Sequence, residues 1–140
     1  MKREIEFASH PANLAQVREF VRLFLQPLAF PETEKDIIVL GLDEACTNII
    51  RYAYDHAPDR LICLVCEQLD EGVRFRLRDF GTQCEPEKML GRPLELVQPG
   101  GLGLHLIRRA FQQVDYNLKQ EGTELVLEKH FGHTTFRGEN

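Results

Sequence analysis

A glycine cluster opens a helical pattern late in the chain, in the run Pro99-Gly100-Gly101-Leu102-Gly103-Leu104. Leu104, Ile107 and Phe111 then recur at the spacing of one helix face. Glycines at a helix entrance let the backbone approach an anion, because free N–H groups and the positive end of the helix dipole point at it. The run therefore indicates a phosphate-binding turn. An ordinary turn before a helix is the alternative.

A glutamate and an asparagine stand four residues apart in a long helical pattern. Glu44 and Asn48 are one turn apart, so their side chains share a helix face. The asparagine oxygen is a suitable ligand for Mg²⁺, and the glutamate could take a proton from an attacking hydroxyl or water. The alternative is a polar helix flank that adds only a small side-chain interaction.

An acidic residue lies on the apolar face of one strand pattern. Asp79 shares its parity with Val73, Phe75 and Leu77, and an unpartnered carboxylate on that face is costly. An ionised carboxylate only accepts hydrogen bonds, so it suits a donating ligand such as an exocyclic amine. Gly81 would let a flat ring lie close to the backbone. An exposed aspartate entering a turn is the alternative.

A threonine opens the last strand pattern on the same side. Thr123 shares its parity with Leu125 and Leu127, so its hydroxyl would also face the helices. It could join the hydrogen-bonding groups around a ligand, although threonine is also common in strands for its β propensity alone.

These residues require elements that bring them together. Alternation and apolar runs predict five strands, at residues 2–8, 60–69, 73–79, about 114–118, and 123–129. Apolar stripes predict three helices, one with a stripe from Leu14 to Leu28, one at residues 34–54, and one from the glycine cluster to about Gln113. The order of these strands and helices along the chain predicts an α+β two-layer sandwich, with three helices on one face of a mixed, mostly antiparallel sheet.

Local signals refine these elements. Ser9 is predicted to cap the first helix, and Thr33 with Asp36 forms a pattern like a capping box before the second. Residues 80–98 have no clear period, as is typical of a functional lid or a disordered loop.

Composition sets the class of protein. A chain of 140 residues with 43% hydrophobic and 28% charged residues predicts a single domain spanning residues 1–140, with a frayed tail from residue 132. The net charge of -5 argues against direct binding of nucleic acid or an anionic membrane. No apolar run has the length of a membrane span and the N-terminus lacks a signal-peptide pattern, so a cytoplasmic location is expected.

The cysteines Cys63 and Cys66 have the spacing of a metal or redox motif. On a strand, residues three apart point to opposite faces, so they could not share a metal ion. We interpret the four cysteines as small core residues in a reducing compartment.

Together, these motifs resemble those of the GHKL ATPases, whose domain is the Bergerat ATP-binding fold. Within that superfamily the chain is most similar to the short anti-sigma factor serine kinases of bacterial partner-switching systems, over residues of about 7–129. The matching segments are the N box at residues 42–54 (LDEACTNIIRYAY), the first glycine box at 78–81 (RDFG), the second at 100–107 (GGLGLHLI), and the last box at 122–125 (GTEL).

The resemblance implies a role for each motif. Asn48 would ligate the Mg²⁺ that bridges the phosphates of ATP, and Glu44 would be the general base. Asp79 would accept a hydrogen bond from the adenine amine, with Gly81 and Thr123 beside the base. Backbone amides would reach the phosphates from Gly101, Leu102, Gly103 and Leu104.

The implied activity is Mg-ATP-dependent phosphorylation of a serine on an antagonist protein, together with binding of a sigma factor or other regulator. The alternative is an ATP-binding module that sequesters a partner without transfer. Intact Glu44 and Asn48 favour the kinase, since a pure binder needs no base. Members of this family often dimerise, but the pattern indicates no interface.

The sequence departs from the family pattern at three places. Gln83 stands where a second glycine often follows the aspartate, and Tyr52 stands where histidine is common. In the predicted lid only Lys88 and Arg92 are basic candidates for the γ-phosphate, so Mg²⁺ and helix amides would carry most of its charge.

Overall fold

Five strands form one sheet in the computed structural model, which describes residues 1–83 and 102–132. The order across the sheet is β1-β2-β3-β5-β4, and each neighbouring pair is antiparallel. The strands are β1 (Lys2–Ala8), β2 (Leu61–Leu69), β3 (Gly72–Asp79), β4 (Gln113–Leu118) and β5 (Thr123–His130). The predicted fold class is confirmed, and no parallel pair occurs within the described strands.

The helices cover one face of this sheet. They are α1 (Leu14–Leu25), which follows a 3₁₀ turn (Pro11–Asn13), α2 (Glu32–Asn48), which continues as a π-helical turn (Ile49–Ala53), and α3 (Leu102–Ala110). The Phe75 ring of β3 packs edge-on against Phe24 of α1 and Phe111 after α3, with 6.0 Å between centroids in each pair. None of the described helices is long and apolar enough to cross a bilayer.

Strict alternation along β3 separates an apolar face from a charged one. Its inward residues Val73, Phe75 and Leu77 are fully buried under the helices. On the outer face, the Arg74 Nε donates to Glu128 at 2.8 Å and the Arg76 Nε donates to Glu67 at 3.0 Å. Because every second residue of β3 is buried under the helices, Asp79, the last residue of the strand, also faces them.

The cysteine pair follows the same rule. Cys66 is completely buried on the inner face of β2, whereas Cys63 lies half-buried on the outer face beside Glu6. Within the described residues no three potential metal ligands cluster. The two thiols therefore face apart as predicted, but the prediction that Cys63 is a core residue is wrong.

Both predicted helix caps are wrong. The Ser9 hydroxyl donates to the Ala57 carbonyl and accepts from the Arg60 backbone N–H at 3.0 Å, so it ties β1 to the start of β2. His10 caps the first turn instead. Helix α2 starts at Glu32 behind Pro31, whose carbonyl accepts from the N–H groups of Glu34 and Lys35 at 3.0 Å. Proline presets the extended backbone there, and no side chain caps this end of the helix.

Two predicted features cannot be compared with the structure. Residues 84–98 of the predicted lid and residues 133–140 of the predicted tail lie outside the described part of the chain. The assignment of one domain to residues 1–140 stays a prediction.

Candidate functional site

A pocket that is open to solvent lies between the end of α2 and the end of the sheet where β3 and β5 pair. It is lined by Ala45, Asn48, Ile49, Tyr52, Ala53, Asp79, Thr82, Tyr116, Thr123 and Leu125. A pocket with apolar walls and a few convergent polar groups is typical of a small-molecule site. The structure thus brings together Asn48, Asp79 and Thr123, which are far apart in the sequence.

Asn48 is the last residue of α2 and is only 6% exposed. Neither its Oδ1 nor its Nδ2 has a hydrogen-bond partner among the residues that the structure describes. Leaving a buried amide unpaired costs about 1–3 kcal/mol. Its position in the pocket wall suits a polar ligand or a metal ion that would pair with it.

Asp79 and Thr123 are direct partners in the antiparallel register of β3 and β5. The Asp79 carboxylate is 4% exposed and accepts a hydrogen bond from the Gly81 N–H at 3.0 Å. Burial raises the pKa of this carboxyl, while the backbone N–H groups of Gly81 and Thr123 and the charge of Arg78 oppose the rise. An acceptor is therefore held at the sheet's end, beside a threonine hydroxyl.

The π-helical turn after α2 shapes the wall between them. The sequence pattern predicts a regular helix to Tyr54, but the Tyr54 N–H bonds back five residues to the Ile49 carbonyl at 3.0 Å. The widened turn lets the Ala53 carbonyl accept from the Thr82 N–H at 2.8 Å. Such turns recur at functional sites because they redirect groups that a regular helix would align.

Tyr54 supports the site although it does not line the pocket, and sequence analysis did not assign it this role. Its buried hydroxyl donates to the Leu61 carbonyl and accepts from the Phe80 N–H at 2.8 Å. It thereby fixes the chain directly after Asp79. The available signal was a tyrosine at the end of the predicted helix, since a buried tyrosine usually finds a partner for its hydroxyl.

Two glycines allow close backbone contacts around Asp79. A Cβ on Gly81 would lie 2.3 Å from the Ala53 carbonyl oxygen, and one on Gly122 would lie 2.0 Å from the Asp79 carbonyl oxygen. Gly122 also has φ of +76°, which favours glycine. Gly81 packs against the π-helical turn and is not among the residues that line the pocket.

Glu44 is half-buried on α2, one turn before Asn48, and is not among the lining residues. Burial, and then the charge of Asp43, raise the pKa of its carboxyl, while Arg51 opposes the rise. Asp43 is held by Arg18 of α1 at 2.7 Å. Arg51 is a cation near the candidate base that sequence analysis did not consider.

The predicted phosphate turn is only partly described. Leu102, Gly103 and Leu104 are the first three residues of α3, whereas Gly101 lies outside the described residues, as do Lys88 and Arg92. The roles predicted for these residues stay predictions.

Comparison with known proteins decides the family. A model of the histidine kinase-like ATPase domain matches residues 7–129. The chain belongs to this family. The predicted similarity to GHKL ATPases, and with it the use of ATP by the family's domain, is confirmed.

Named relatives of this histidine kinase-like ATPase domain are regulators and kinases. The serine/threonine-protein kinase BtrW of Bordetella bronchiseptica is 30% identical over 97 residues, which cover 66% of this chain and 68% of the relative. The anti-sigma F factor of Clostridium beijerinckii is 26% identical over 93% of this chain and 94% of its own. The serine-protein kinase RsbW of Bacillus mycoides is 24% identical, with 92% and 84% covered.

Solved structures share the fold of this ATPase domain. The RsbU and RsbW domains of a Mycobacterium tuberculosis protein superpose with a TM-score of 0.67 at 17% identity, covering 93% of this chain and only 32% of that chain. A blue-light activated histidine kinase of Erythrobacter litoralis gives 0.57 at 13% identity, covering 92% of this chain and 64% of its own. At these identities the likeness extends to the fold alone.

Proposed function

We propose that this chain is a Mg-ATP-dependent protein-serine kinase that phosphorylates a serine on an antagonist protein and so regulates a sigma factor or similar partner. The names of its relatives support this class of activity. The observation that carries the proposal is the buried amide of Asn48, unpartnered among the described residues, in the same pocket as the buried carboxylate of Asp79.

The groups of the pocket fit an adenine base at the sheet's end. Asp79 can accept from the exocyclic amine, which is the one strong donor on the base's edge. The Thr123 hydroxyl beside it can donate or accept. Apolar walls from Ile49 and Leu125 would cover the ring faces. Backbone amides at the start of α3, from Gly101 to Leu104, are proposed to reach the phosphates.

Asn48 fits a magnesium ion. Its amide oxygen is a neutral, hard ligand, and a single protein ligand suffices for an ion that keeps several waters. Bound Mg²⁺ would neutralise charge on the phosphates during transfer. In this proposal Asn48 would hold the ion at the end of α2.

Glu44 is the proposed base for the transfer itself. Its carboxylate would accept the proton of the serine hydroxyl as the serine oxygen bonds to the γ-phosphorus. The bond from that phosphorus to the bridging oxygen breaks, and ADP leaves. A half-buried carboxylate with a raised pKa is a better proton acceptor than an exposed one.

The direct test is incubation of the protein with Mg-ATP and candidate antagonist domains, read by intact mass. We expect one added phosphate on one domain, removed by replacing its acceptor serine with alanine. Binding of Mg-ATP without transfer to any candidate would favour the sequestering module. No binding of Mg-ATP would contradict the nucleotide site itself.

We place this activity in the cytoplasm, where ATP is available and where free thiols such as those of Cys46 and Cys66 persist. A homodimer stays a prediction.

The proposed base leads to a pH dependence. Only the ionised Glu44 accepts a proton, so kcat should rise with pH, with a midpoint above that of an ordinary glutamate because its pKa is raised. Asp43→Asn removes a negative charge that raises this pKa, and the midpoint should move to lower pH. The measurement is kcat against pH at saturating Mg-ATP.

A matched control separates charge from helix packing. Asp36 of α2 pairs with Arg22 of α1 at 2.7 Å, just as Asp43 pairs with Arg18. Asp36→Asn should therefore leave the midpoint in place. Equal shifts in both variants, or none in Asp43→Asn, would count against Glu44 as the titrating base.

A further inference from the structure

The chain that leaves the sheet after Asp79 is held on its α2 side by successive backbone bonds. The Phe80 N–H donates to the Tyr54 hydroxyl at 2.8 Å, the Gly81 N–H to the Asp79 carboxylate at 3.0 Å, and the Thr82 N–H to the Ala53 carbonyl at 2.8 Å. These bonds set one side of the proposed base-binding end of the pocket.

Gln83 holds the same segment on its other side. Its side-chain Nε2 donates to the carbonyls of Lys119 at 2.5 Å and Gly122 at 2.8 Å. Both carbonyls belong to the β4–β5 turn, which is closed by a bond from the Lys119 N–H to the Gly122 carbonyl at 3.0 Å. One primary amide thus uses both of its donors to join this segment to a single turn, whose two acceptors are 36 and 39 residues away in sequence.

The β4–β5 turn, to which Gln83 donates, leads directly into residues that line the pocket. Gly122 packs directly on the Asp79 carbonyl and precedes Thr123, and both Asp79 and Thr123 line the pocket. Thr82, immediately before Gln83, lines it as well. Gln83 does not line the pocket, so any effect it has on a ligand must act through these neighbours.

A glycine at this position, which the resemblance leads one to expect, would offer no side chain for such a link. We infer that Gln83 is a positioning residue that holds Thr82 and the segment after Asp79 against the β4–β5 turn, and thereby sets adenine specificity in this chain. The inference rests on the proposed nucleotide site. Rigid placement favours adenine, whose C6 amine donates to the Asp79 acceptor. Guanine in the same orientation would place its C6 carbonyl oxygen against the carboxylate, where two acceptors repel each other.

The test compares equilibrium binding of Mg-ATP and Mg-GTP by wild type, Gln83→Ala and Gln83→Glu. Both hydrogen bonds of Gln83 lie within the protein, so only the part of their free energy that holds the pocket in its binding geometry affects the affinity. A part of about 1 kcal/mol would weaken Mg-ATP binding about fivefold. Binding of Mg-GTP should change little, so the preference for ATP falls by the same factor. Gln83→Glu keeps the size of the side chain but has no donor and faces two carbonyl oxygens, so it should be at least as weak. In the kinase assay, KM for ATP should rise while kcat is unchanged.

Gln112→Ala is the matched control, since the Gln112 side chain accepts from the His130 N–H at 2.9 Å at the opposite end of β5. It should leave both affinities unchanged. If Gln83→Ala binds both nucleotides as wild type does, or loses both equally, the positioning role is wrong and the nucleotide site stands. If wild type binds neither nucleotide, the proposed function itself fails.

Discussion

Replacing Glu44 with glutamine is expected to lower kcat for phosphoryl transfer about 10²- to 10⁴-fold, the range associated with removing a general base. Glutamine has nearly the same size and keeps a hydrogen-bonding oxygen, but it cannot accept a proton. Glu44 is not among the residues lining the pocket, so the dissociation constant for Mg-ATP should hardly change. Phosphate incorporation into the antagonist protein gives kcat, and calorimetric titration gives the affinity.

The control for this variant is Glu32→Gln at the start of the same helix. Glu32 is exposed and makes only a 3.4 Å ion pair with Lys35. It lies roughly 18 Å from Glu44 along the helix axis, from twelve residues at about 1.5 Å each. We expect Glu32→Gln to have the wild-type kcat. Transfer by Glu44→Gln at the wild-type rate would show that the base is another group or that no base is needed.

Asp79→Asn is expected to weaken Mg-ATP binding strongly. The asparagine oxygen can still accept from the Gly81 N–H, but its NH₂ group would then compete as a donor with the donating amine of the base. Loss of a hydrogen bond to a charged group costs about 1.5–3 kcal/mol, which is roughly a 10- to 150-fold loss of affinity. Titration of the variant with Mg-ATP measures this loss.

Stability distinguishes this effect from misfolding. Burial raises the pKa of Asp79 in the folded protein, so without ligand the ionised carboxylate destabilises the fold at neutral pH. This destabilisation is absent at pH values below the pKa of an unfolded aspartate. It grows as the pH rises from there and is complete above the raised pKa of the folded state. Asp79→Asn should therefore keep or raise the melting temperature near pH 7 while binding is lost. Asp115→Asn, exposed on β4, should change neither quantity. Wild-type affinity in Asp79→Asn would remove this residue from the site.

The layout of the fold could largely be predicted from the sequence because burial of one face leaves a clear pattern. Strand β1 has the predicted bounds of residues 2–8, and the parity of Val73, Phe75 and Leu77 correctly places Asp79 on the inner face. Parity also places Thr123 on that face. The alternation of apolar and polar residues does not reveal the strand register that makes Asp79 and Thr123 direct partners. Register depends on turn lengths and on the neighbouring strand.

The details that shape the pocket depend on tertiary contacts. The π-helical turn at Ile49–Ala53 differs from a regular helix by backbone bonds that leave no periodic signal in residue type. The links through Tyr54 and Gln83 join segments far apart in the chain, so local periodicity does not reveal the hydrogen-bond partners of these two side chains. The predicted helix cap at Ser9 is wrong for the same reason, since the Ser9 hydroxyl has a long-range partner in Arg60 that local rules do not consider.

A crystal structure of the protein with Mg²⁺ and a non-hydrolysable ATP analogue most directly tests whether one nucleotide occupies the pocket of Asn48, Asp79 and Thr123. We predict the adenine amine within hydrogen-bonding distance of the Asp79 carboxylate, and the Asn48 oxygen about 2.1 Å from a magnesium ion that also contacts the phosphates. An analogue bound elsewhere, or one bound here with Asn48 away from the metal and Asp79 away from the base, would contradict the proposed site.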